Sequence, residues 1–125
     1  MSSQTDQYNV LIKSLLPEDL FNYFEIVKVD VADKSIEVHL DELNIPPKEY
    51  SKEKLSSKGF HGAAVFQDFP IRGKAVYLHV RRRKWKIESN GKIISKQWDL
   101  SAQGSRYTKD FATFLKGLFG QLPNK

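Results

Sequence analysis

The segment Phe66-Gln-Asp-Phe-Pro-Ile-Arg-Gly-Lys-Ala-Val-Tyr-Leu-His-Val-Arg-Arg-Arg-Lys-Trp85 carries the strongest structural signal in the chain. A turn over residues 70–73 leads into a strand in which Val76, Leu78 and Val80 alternate with polar residues. The strand ends in four consecutive cations followed by a tryptophan. Like charges repel one another and add nothing to a core, so this ending favours a polyanionic partner. The segment therefore predicts a binding surface and not an active site.

Charge is distributed unevenly along the chain. Residues 1–58 contain 7 lysines and no arginine against 11 acidic residues, a formal charge of −4. Residues 59–125 contain 8 lysines and 5 arginines against 4 acidic residues, a formal charge of +9. This asymmetry predicts that the second half contacts nucleic acid and that the first half serves packing or partner contact. A basic face that is simply solvated is the alternative.

Length and composition exclude several classes of protein. A chain of 125 residues is the size of one domain, which we expect to span residues 1–125. It has no apolar run of about 18 residues and no secretory signal at its start, so we expect a cytoplasmic protein without membrane contact. The absence of cysteine excludes thiolate zinc sites, and the three histidines have no ligand spacing, so neither metal nor cofactor is expected. No catalytic motif occurs, and we expect no catalysis by this chain alone.

The first half of the chain predicts helix, then strand, then loop. Apolar residues at helical spacing between Val10 and Phe24 predict a helical segment, which Pro17 divides in two because proline suits only the first turn of a helix. Residues 1–7 are expected to form a disordered tail. Residues 24–31 and 35–40 alternate at period two and predict a β-hairpin, at whose end the adjacent acids Asp41 and Glu42 are expected on the surface. Residues 44–62 are polar and aperiodic, and predict a mobile loop.

Asn90-Gly91 predicts a second hairpin, because both central residues of a type I′ turn need positive φ. The register of a two-residue loop pairs Ser89 with Lys92, Ile87 with Ile94, Trp85 with Lys96 and Arg83 with Trp98. One face then carries Trp85, Ile87, Ile94 and Trp98, and we expect that face to be core. Val80 and the apolar residues before it have the opposite parity to Trp85. This change predicts a β-bulge between Arg81 and Lys84 that splays the arginines.

Residues 105–120 predict a C-terminal amphipathic helix, with Thr108 or Ser105 as N-cap and Gly120 as the left-handed residue at its end. Its apolar stripe, expected to be core, consists of Tyr107, Phe111, Phe114, Leu115, Leu118 and Phe119. The fold class that follows is α+β. It combines an N-terminal helical segment, a mostly antiparallel sheet of about five strands, and the C-terminal helix on one sheet face.

The predicted DNA contacts are the cations of the long strand and of the last helix. Guanidinium groups suit bidentate contacts with phosphate or guanine. The predicted register buries both tryptophans, which favours a reader of the duplex backbone over a platform for single strands. The first turn of the last helix adds backbone N–H groups that attract phosphate. The predicted contacts are Arg72, Lys74, Arg81, Arg82, Arg83, Lys84, Lys86, Arg106 and Lys109, and His79 is expected to point outward beside them.

Several motifs in combination resemble the N-terminal region of bacterial insertion-sequence transposases of the ISL-like family, in its Aon-like branch. These motifs are Leu15-Leu-Pro-Glu-Asp-Leu-Phe-Asn-Tyr-Phe-Glu-Ile-Val27, Gln67-Asp-Phe-Pro-Ile-Arg-Gly73, Val76-Tyr-Leu-His-Val-Arg-Arg-Arg-Lys-Trp85, and Gly104-Ser-Arg-Tyr-Thr108 with Phe111-Ala-Thr-Phe-Leu115. The resemblance implies a DNA-recognition region placed ahead of a helix-turn-helix and a DDE catalytic domain. It also implies a cysteine zinc ribbon, which this chain cannot form because it has no cysteine.

The resemblance and the basic strand together lead to one functional expectation. The chain is expected to recognise the double-stranded DNA of transposon ends, without catalysis, and to act with a separate catalytic transposase chain. One alternative is a protein–protein module in which the aromatic C-terminal helix or the acidic half docks that catalytic chain. Another is a transposase fragment that folds but has no function.

Overall fold

The computed structural model describes residues 3–96, 98 and 105–120. Two α-helices, two short 3₁₀ helices and seven strands are found in this part of the chain, and the α+β class with mostly antiparallel strands is confirmed. The helices are α1 (Ser3–Leu15) and α2 (Lys109–Phe119), and the 3₁₀ helices are Glu18–Asn22 and Lys48–Tyr50. The strands are β1 (Phe24–Val31), β2 (Ser35–Glu42), β3 (Leu55–Phe60), β4 (Ala64–Ile71), β5 (Lys74–Arg81), β6 (Arg83–Ile87) and β7 (Ile93–Ile94).

The N-terminal segment consists of two helical pieces, as predicted. Pro17 has the extended angles φ −51° and ψ 132° and opens the Glu18–Asn22 helix. The expected tail over residues 1–7 is wrong for residues 3–7, which belong to α1, and residues 1 and 2 lie outside the described part. Leu11 and Leu15 are exposed, whereas Leu16 packs against the larger core and Leu20 is buried.

Sheet A has the strand order β1-β2-β5-β4. The predicted hairpin of β1 and β2 is confirmed, with Val31 opposite Ile36. β2 and β5 pair in parallel, in a register that places Asp41 beside Arg81. One face of this sheet carries the larger core of the protein, formed by the buried residues Leu20, Phe24, Val38, Leu40, Val76, Leu78 and Val80.

The break predicted at residues 70–73 is a two-residue turn between β4 and β5. Ile71 lies opposite Lys74, and the turn residues Arg72 and Gly73 have φ of 53° and 78°. Two successive residues with positive φ are the geometry of a type I′ hairpin turn. Pro70 is accommodated inside β4 because the register shifts between Asp68 and Ile71, which is where a strand tolerates a residue without an N–H.

The predicted loop over residues 44–62 is wrong, because it contains the Lys48–Tyr50 helix and strand β3. β3 has the sequence Leu-Ser-Ser-Lys-Gly-Phe, which has little intrinsic preference for a strand. It forms because β6 supplies its hydrogen-bonding partner, with Leu55 opposite Ile87 and Ser57 opposite Trp85.

Sheet B has the strand order β3-β6-β7 and its own small core. Trp85, Ile87 and Ile94 are buried on one face, as predicted, with Tyr50 and Leu55 packed against them. The predicted register is wrong by two residues, since Trp85 pairs with Ile94 and not with Lys96. A shift of two leaves every side chain on its predicted face.

The loop at Asn90-Gly91 explains the shifted register. Asn90 does not adopt positive φ, and its Oδ1 accepts the Lys92 N–H at 2.9 Å. Gly91 has φ 73°, and its N–H donates to the Ile87 carbonyl at 2.7 Å. The loop therefore spans residues 88–91 and is four residues long. Trp98 lies outside this hairpin and packs on Phe24 in the larger core, with ring centroids 5.1 Å apart.

The predicted bulge between Arg81 and Lys84 is instead a change of sheet. β5 ends at Arg81 in sheet A and β6 begins at Arg83 in sheet B, with Arg82 between them. Val80 faces the core of sheet A, and Trp85 faces the core of sheet B. The change of parity in the sequence reflects these two cores.

Helix α2 packs beside β4. Gly120 ends it in the left-handed conformation, φ 79°, as predicted. Thr108 is at the N-cap position, but its hydroxyl donates to Asp68 Oδ1 at 2.7 Å and not to the helix. The expected apolar stripe is only partly core: Phe111 and Leu115 are buried, whereas Phe114, Leu118 and Phe119 are 49, 61 and 63% exposed.

Candidate nucleic-acid interface

Arg81 is held by an acidic residue of the neighbouring strand. The parallel register of β2 and β5 sets it beside Asp41, whose two carboxylate oxygens accept from Arg81 Nε and Nη2 at 2.7 Å each. This pairing is the main cause that raises the pKa of Arg81. The guanidinium also lies 4.2 Å from the centroid of the Phe60 ring. Arg81 is therefore paired within the fold, and its predicted contact with DNA stays a prediction.

Arg83 is bound to Glu42 through both its backbone and its side chain. Glu42 is 1% exposed, and its Oε1 accepts the Arg83 N–H at 2.9 Å. Arg83 Nε donates to the Glu42 carbonyl, and Nη1 donates to Ser57 Oγ at 3.1 Å. The expectation that Asp41 and Glu42 lie on the surface is therefore wrong. Asp41 and Glu42 connect the end of β2 to residues 81–83, where the chain passes from sheet A to sheet B.

Arg72 and Lys74 lie at the opposite end of β5. Lys74 Nζ donates to the carbonyls of Ala32 and Asp33 at 2.8 and 2.6 Å, so it ties the β1–β2 turn to β5. Arg72 is exposed in the turn between β4 and β5. The structure does not bring these two predicted contacts together with Lys84 and Lys86.

The two lysines of β6 lie on the face of sheet B opposite its core. Lys84 and Lys86 alternate with the buried Trp85 and Ile87, so they point to the other face. Residues 52–60 and 82–96 contain nine lysines and arginines against two glutamates, a formal charge of +7, whereas the whole chain carries +5. The net positive charge of the protein is therefore concentrated in and around this sheet.

Two clusters of electrostatic contacts define this surface. The pKa of Glu88 is lowered by a hydrogen bond to Ser56 and then by Lys86, Lys54 and Lys58. The pKa of His61 is lowered by burial and then by Arg82 and Lys84. Lys84 and Lys86 lie two residues apart on one face and join the two clusters. We call the surface formed by Lys54, Lys58, Arg82, Lys84 and Lys86 the basic face.

Arg106 and Lys109 lie beside sheet A, away from the basic face. The Arg106 carbonyl accepts the Gln67 N–H at 2.7 Å, so this segment extends the edge of β4. Arg106 precedes α2, and its predicted place in the first turn of the helix is wrong, whereas Lys109 does occupy that turn.

Two of the histidines pair on the outer face of sheet A. His39 and His79 are neighbours in the parallel register, and their rings stack with centroids 4.5 Å apart. His79 Nε2 is 2.5 Å from Glu37 Oε1, and His39 Nε2 is 3.5 Å from Asp30 Oδ2. His79 is thus bound to a carboxylate and not turned freely outward. Within residues 3–96, 98 and 105–120, no group of three or more histidine or acidic side chains is placed to hold a metal ion.

Lys54 and Lys58 of the basic face were missed in the sequence because they lie in the segment predicted as a loop. Ser56 and Leu55, which alternate between the two faces of β3, are the weak signal that could have found them. Among the described residues, no helix is long and apolar enough to cross a membrane.

Comparison of the chain with protein-family models, with curated proteins and with solved structures found no significant match.

Proposed function

We propose that this protein binds the phosphate backbone of double-stranded DNA through the basic face and is not catalytic by itself. The observation that carries the proposal is that Lys54, Lys58 and Lys86 all act on the carboxylate of Glu88, with Lys84 on the same face of β6 as Lys86. Like charges gathered on one face of an ordered sheet repel one another. A polyanion relieves that repulsion and releases its own counterions, which gives binding its free energy.

The aromatic residues near this surface favour a duplex over a single strand. Trp85 is 3% exposed on the opposite face of sheet B, and Phe60 is covered by the guanidinium groups of Arg81 and Arg83. Single-stranded DNA is usually held by bases stacked on exposed aromatic rings. Lysine ammonium groups provide point charges for backbone phosphates and carry little sequence information.

The identity of the DNA and of the partner is proposed on the resemblance alone. Transposon-end DNA is the substrate that the transposase resemblance implies, and a separate catalytic transposase chain is the partner. Arg82 supplies the guanidinium of the basic face, and a guanidinium suits bidentate contact with either a phosphate or a guanine edge.

The test is a titration of a terminal-repeat duplex and a scrambled duplex over a range of salt concentrations. Five phosphate contacts give a slope of about −4.5 in log K against log salt, from about −0.9 per contact. Replacement of Lys54, Lys58 and Lys86 by glutamine should make the slope shallower by about 2.7 by the same rule. The matched control replaces Lys13, Lys28 and Lys116 by glutamine. These lysines are exposed outside the basic face, and their replacement changes the net charge by the same amount.

The two variants separate a binding surface from a general effect of charge. The proposal requires the control to keep most of the parent's affinity. Equal losses in both variants, or binding that does not respond to salt, would show that the basic face is only solvated. A preference for the terminal repeat over the scrambled duplex supports transposon-end recognition, and equal affinity contradicts it.

A second candidate function, docking of a protein partner, is favoured by the exposed apolar residues of α2. Phe114 and Leu118 are 49 and 61% exposed, and the Phe114 ring lies 5.5 Å from that of the partly exposed Phe69. Surfaces of this kind often mark interaction sites. Replacement of Phe114 and Leu118 by serine should abolish co-elution with the catalytic transposase chain and leave DNA affinity unchanged. Failure of both binding assays would favour a fragment without function.

A further inference from the structure

Four polar residues converge where the chain passes from sheet A to sheet B. His61 follows β3, Arg82 lies between β5 and β6, Lys84 lies on β6, and Ser95 follows β7. His61 Nε2 and Ser95 Oγ share a hydrogen bond of 2.6 Å. The backbone N–H of His61 donates to the Arg82 carbonyl at 2.9 Å. The Arg82 guanidinium donates to the carbonyl of Lys96, next to Ser95, at 3.4 Å. The four side chains are half-buried.

The charges that act on His61 are mainly positive. Burial is the largest cause that lowers its pKa, and Arg82 and Lys84 lower it further, while Glu42 at the end of β2 opposes them. Glu42 already accepts the Arg83 N–H through Oε1, and Lys96 Nζ lies over the Trp98 ring at 5.7 Å. At neutral pH the imidazole is therefore uncharged and lies beside two cations.

We propose that His61, Ser95, Arg82 and Lys84 form a site for one backbone phosphate of DNA, which His61 binds as the imidazolium. This proposal rests on the proposed function. It adds where one DNA phosphate binds and in which protonation state His61 binds it. Guanidinium, ammonium, hydroxyl and imidazolium are all donors to phosphate oxygens. Burial, and after it the charges of Arg82 and Lys84, lower the pKa of His61, and the phosphate charge offsets the part that the two cations contribute. His61 then takes up one proton from solvent. The Ser95 hydroxyl is then free to donate to the phosphate.

DNA affinity then depends on pH through His61. The pKa of His61 lies below its ordinary value in the free protein, and a bound phosphate raises it. At pH values between the free and the bound pKa, the complex holds more protons than the free protein, so affinity rises as the pH falls. The gain levels off below the free pKa and vanishes above the bound one. A rise of one pKa unit corresponds to about a tenfold gain in affinity.

The experiment measures the affinity for a labelled duplex from pH 8 to pH 5 at constant ionic strength. The parent, His61→Gln and His39→Gln are compared. Glutamine keeps hydrogen-bonding groups for Ser95 but does not titrate. His39 is the matched control because it lies on sheet A and faces Asp30 at 3.5 Å. The parent and His39→Gln are expected to gain about tenfold more affinity over this range than His61→Gln.

A second measurement uses the unmodified protein, so it does not depend on the folding of a variant. The imidazole NMR signals of His61 are titrated with and without the duplex, and its pKa is expected to rise on binding. An unshifted His61 titration in the complex, or equal pH dependence in the parent and His61→Gln, would overturn the phosphate site and leave the basic face in place. No binding of the duplex at any pH at low salt would overturn the proposed function itself.

Discussion

Three consecutive arginines have three different environments in this protein. Arg81 pairs with Asp41, Arg83 binds Glu42, and Arg82 lies beside His61. The charge of each residue is visible in the sequence, but its partner is not. Asp41 and Arg81 are 40 residues apart and meet only because β2 and β5 are parallel neighbours. Two members of this run of cations, Arg81 and Arg83, therefore have structural partners that the sequence did not reveal.

The pairing of Arg81 predicts a specific loss of stability. Arg81→Ala leaves the carboxylate of Asp41, which is 9% exposed, without its bidentate partner. We expect a cost of about 1–2 kcal/mol in the free energy of unfolding, since the guanidinium is itself partly solvated. Chemical denaturation measures this cost. Arg82→Ala is the control and should change stability by about 0.5 kcal/mol or less while it weakens DNA binding. If Arg82→Ala lost more stability than Arg81→Ala, the pair of Arg81 and Asp41 would not stabilise the fold as proposed.

Asp68 predicts a dependence of stability on pH. Burial raises its pKa and Asp110 adds to the rise, whereas hydrogen bonds from Thr108 and the Phe69 N–H oppose it. A carboxyl group with a raised folded pKa contributes stability that is present below its unfolded pKa of about 3.9 and is lost as the pH rises through the folded pKa. Asp68→Asn should therefore be more stable than the parent at pH 7, and this advantage should shrink towards pH 4.

Thermal melts of Asp68→Asn at several pH values test this sign. Asp110→Asn serves as the control, because Asp110 is exposed and should show a much smaller effect. An Asp68→Asn variant that is less stable than the parent at pH 7, by an amount that does not change with pH, would mean that the carboxylate charge is needed by the fold.

At the scale of elements, local patterns were predicted and non-local pairings were not. The hairpin of β1 and β2 follows from alternation around a three-residue turn, and the end of α2 follows from Gly120. β3 was missed because its strand character comes from β6 and not from its own residues. Strands β2 and β5 are parallel neighbours although β3 and β4 lie between them in the sequence, and such a pairing has no local sequence signal. Asn90-Gly91 was recognised as a turn, but the side chain of Asn90 selected a longer loop.

The turn between β4 and β5 offers a prediction at this scale. Arg72 has φ 53°, a conformation that costs most residues energy but suits asparagine and glycine. Arg72→Asn creates the preferred Asn-Gly pair of a type I′ turn and should raise stability by about 0.5–1 kcal/mol. Gly73→Ala, at φ 78°, should lower it by about 1 kcal/mol. Both variants are compared by chemical denaturation. If Arg72→Asn were less stable than the parent, a contact of the arginine side chain would contribute more stability than relief of the positive φ provides.

At the scale of the whole molecule, the basic face and the larger core lie on different sheets. Sheet A and the Glu18–Asn22 helix hold the seven buried residues of the larger core, and sheet B carries the basic face on three buried residues. The change in charge between residues 58 and 59 predicted a basic half, but the boundary falls inside β3. Lys54 and Lys58 belong to the acidic half in sequence and to the basic face in space. A basic surface could be predicted from the composition, but the residues that form it follow only from the pairing of β3 with β6.

This separation predicts that sheet B can open while sheet A stays folded. Trp85 is 3% exposed and is the largest residue of the small core, so Trp85→Ala should cost about 3–5 kcal/mol locally. A cluster with so few buried contacts unfolds at lower free energy than the main core. Native-state hydrogen exchange is the measurement. The amides of Ile87 and Glu88, which donate to Lys92 and Lys54, should exchange faster in the variant, while those of β2 and β5 keep their protection.

Leu78→Ala is the matched control, because Leu78 is 2% exposed in the core of sheet A. Arg83 ties sheet B to Glu42 of β2, so loss of sheet A removes the anchor on which sheet B depends. The Leu78 variant should therefore speed exchange in both sheets, whereas the Trp85 variant acts on sheet B alone. If Trp85→Ala raised exchange equally in both sheets, the two cores would form one cooperative unit.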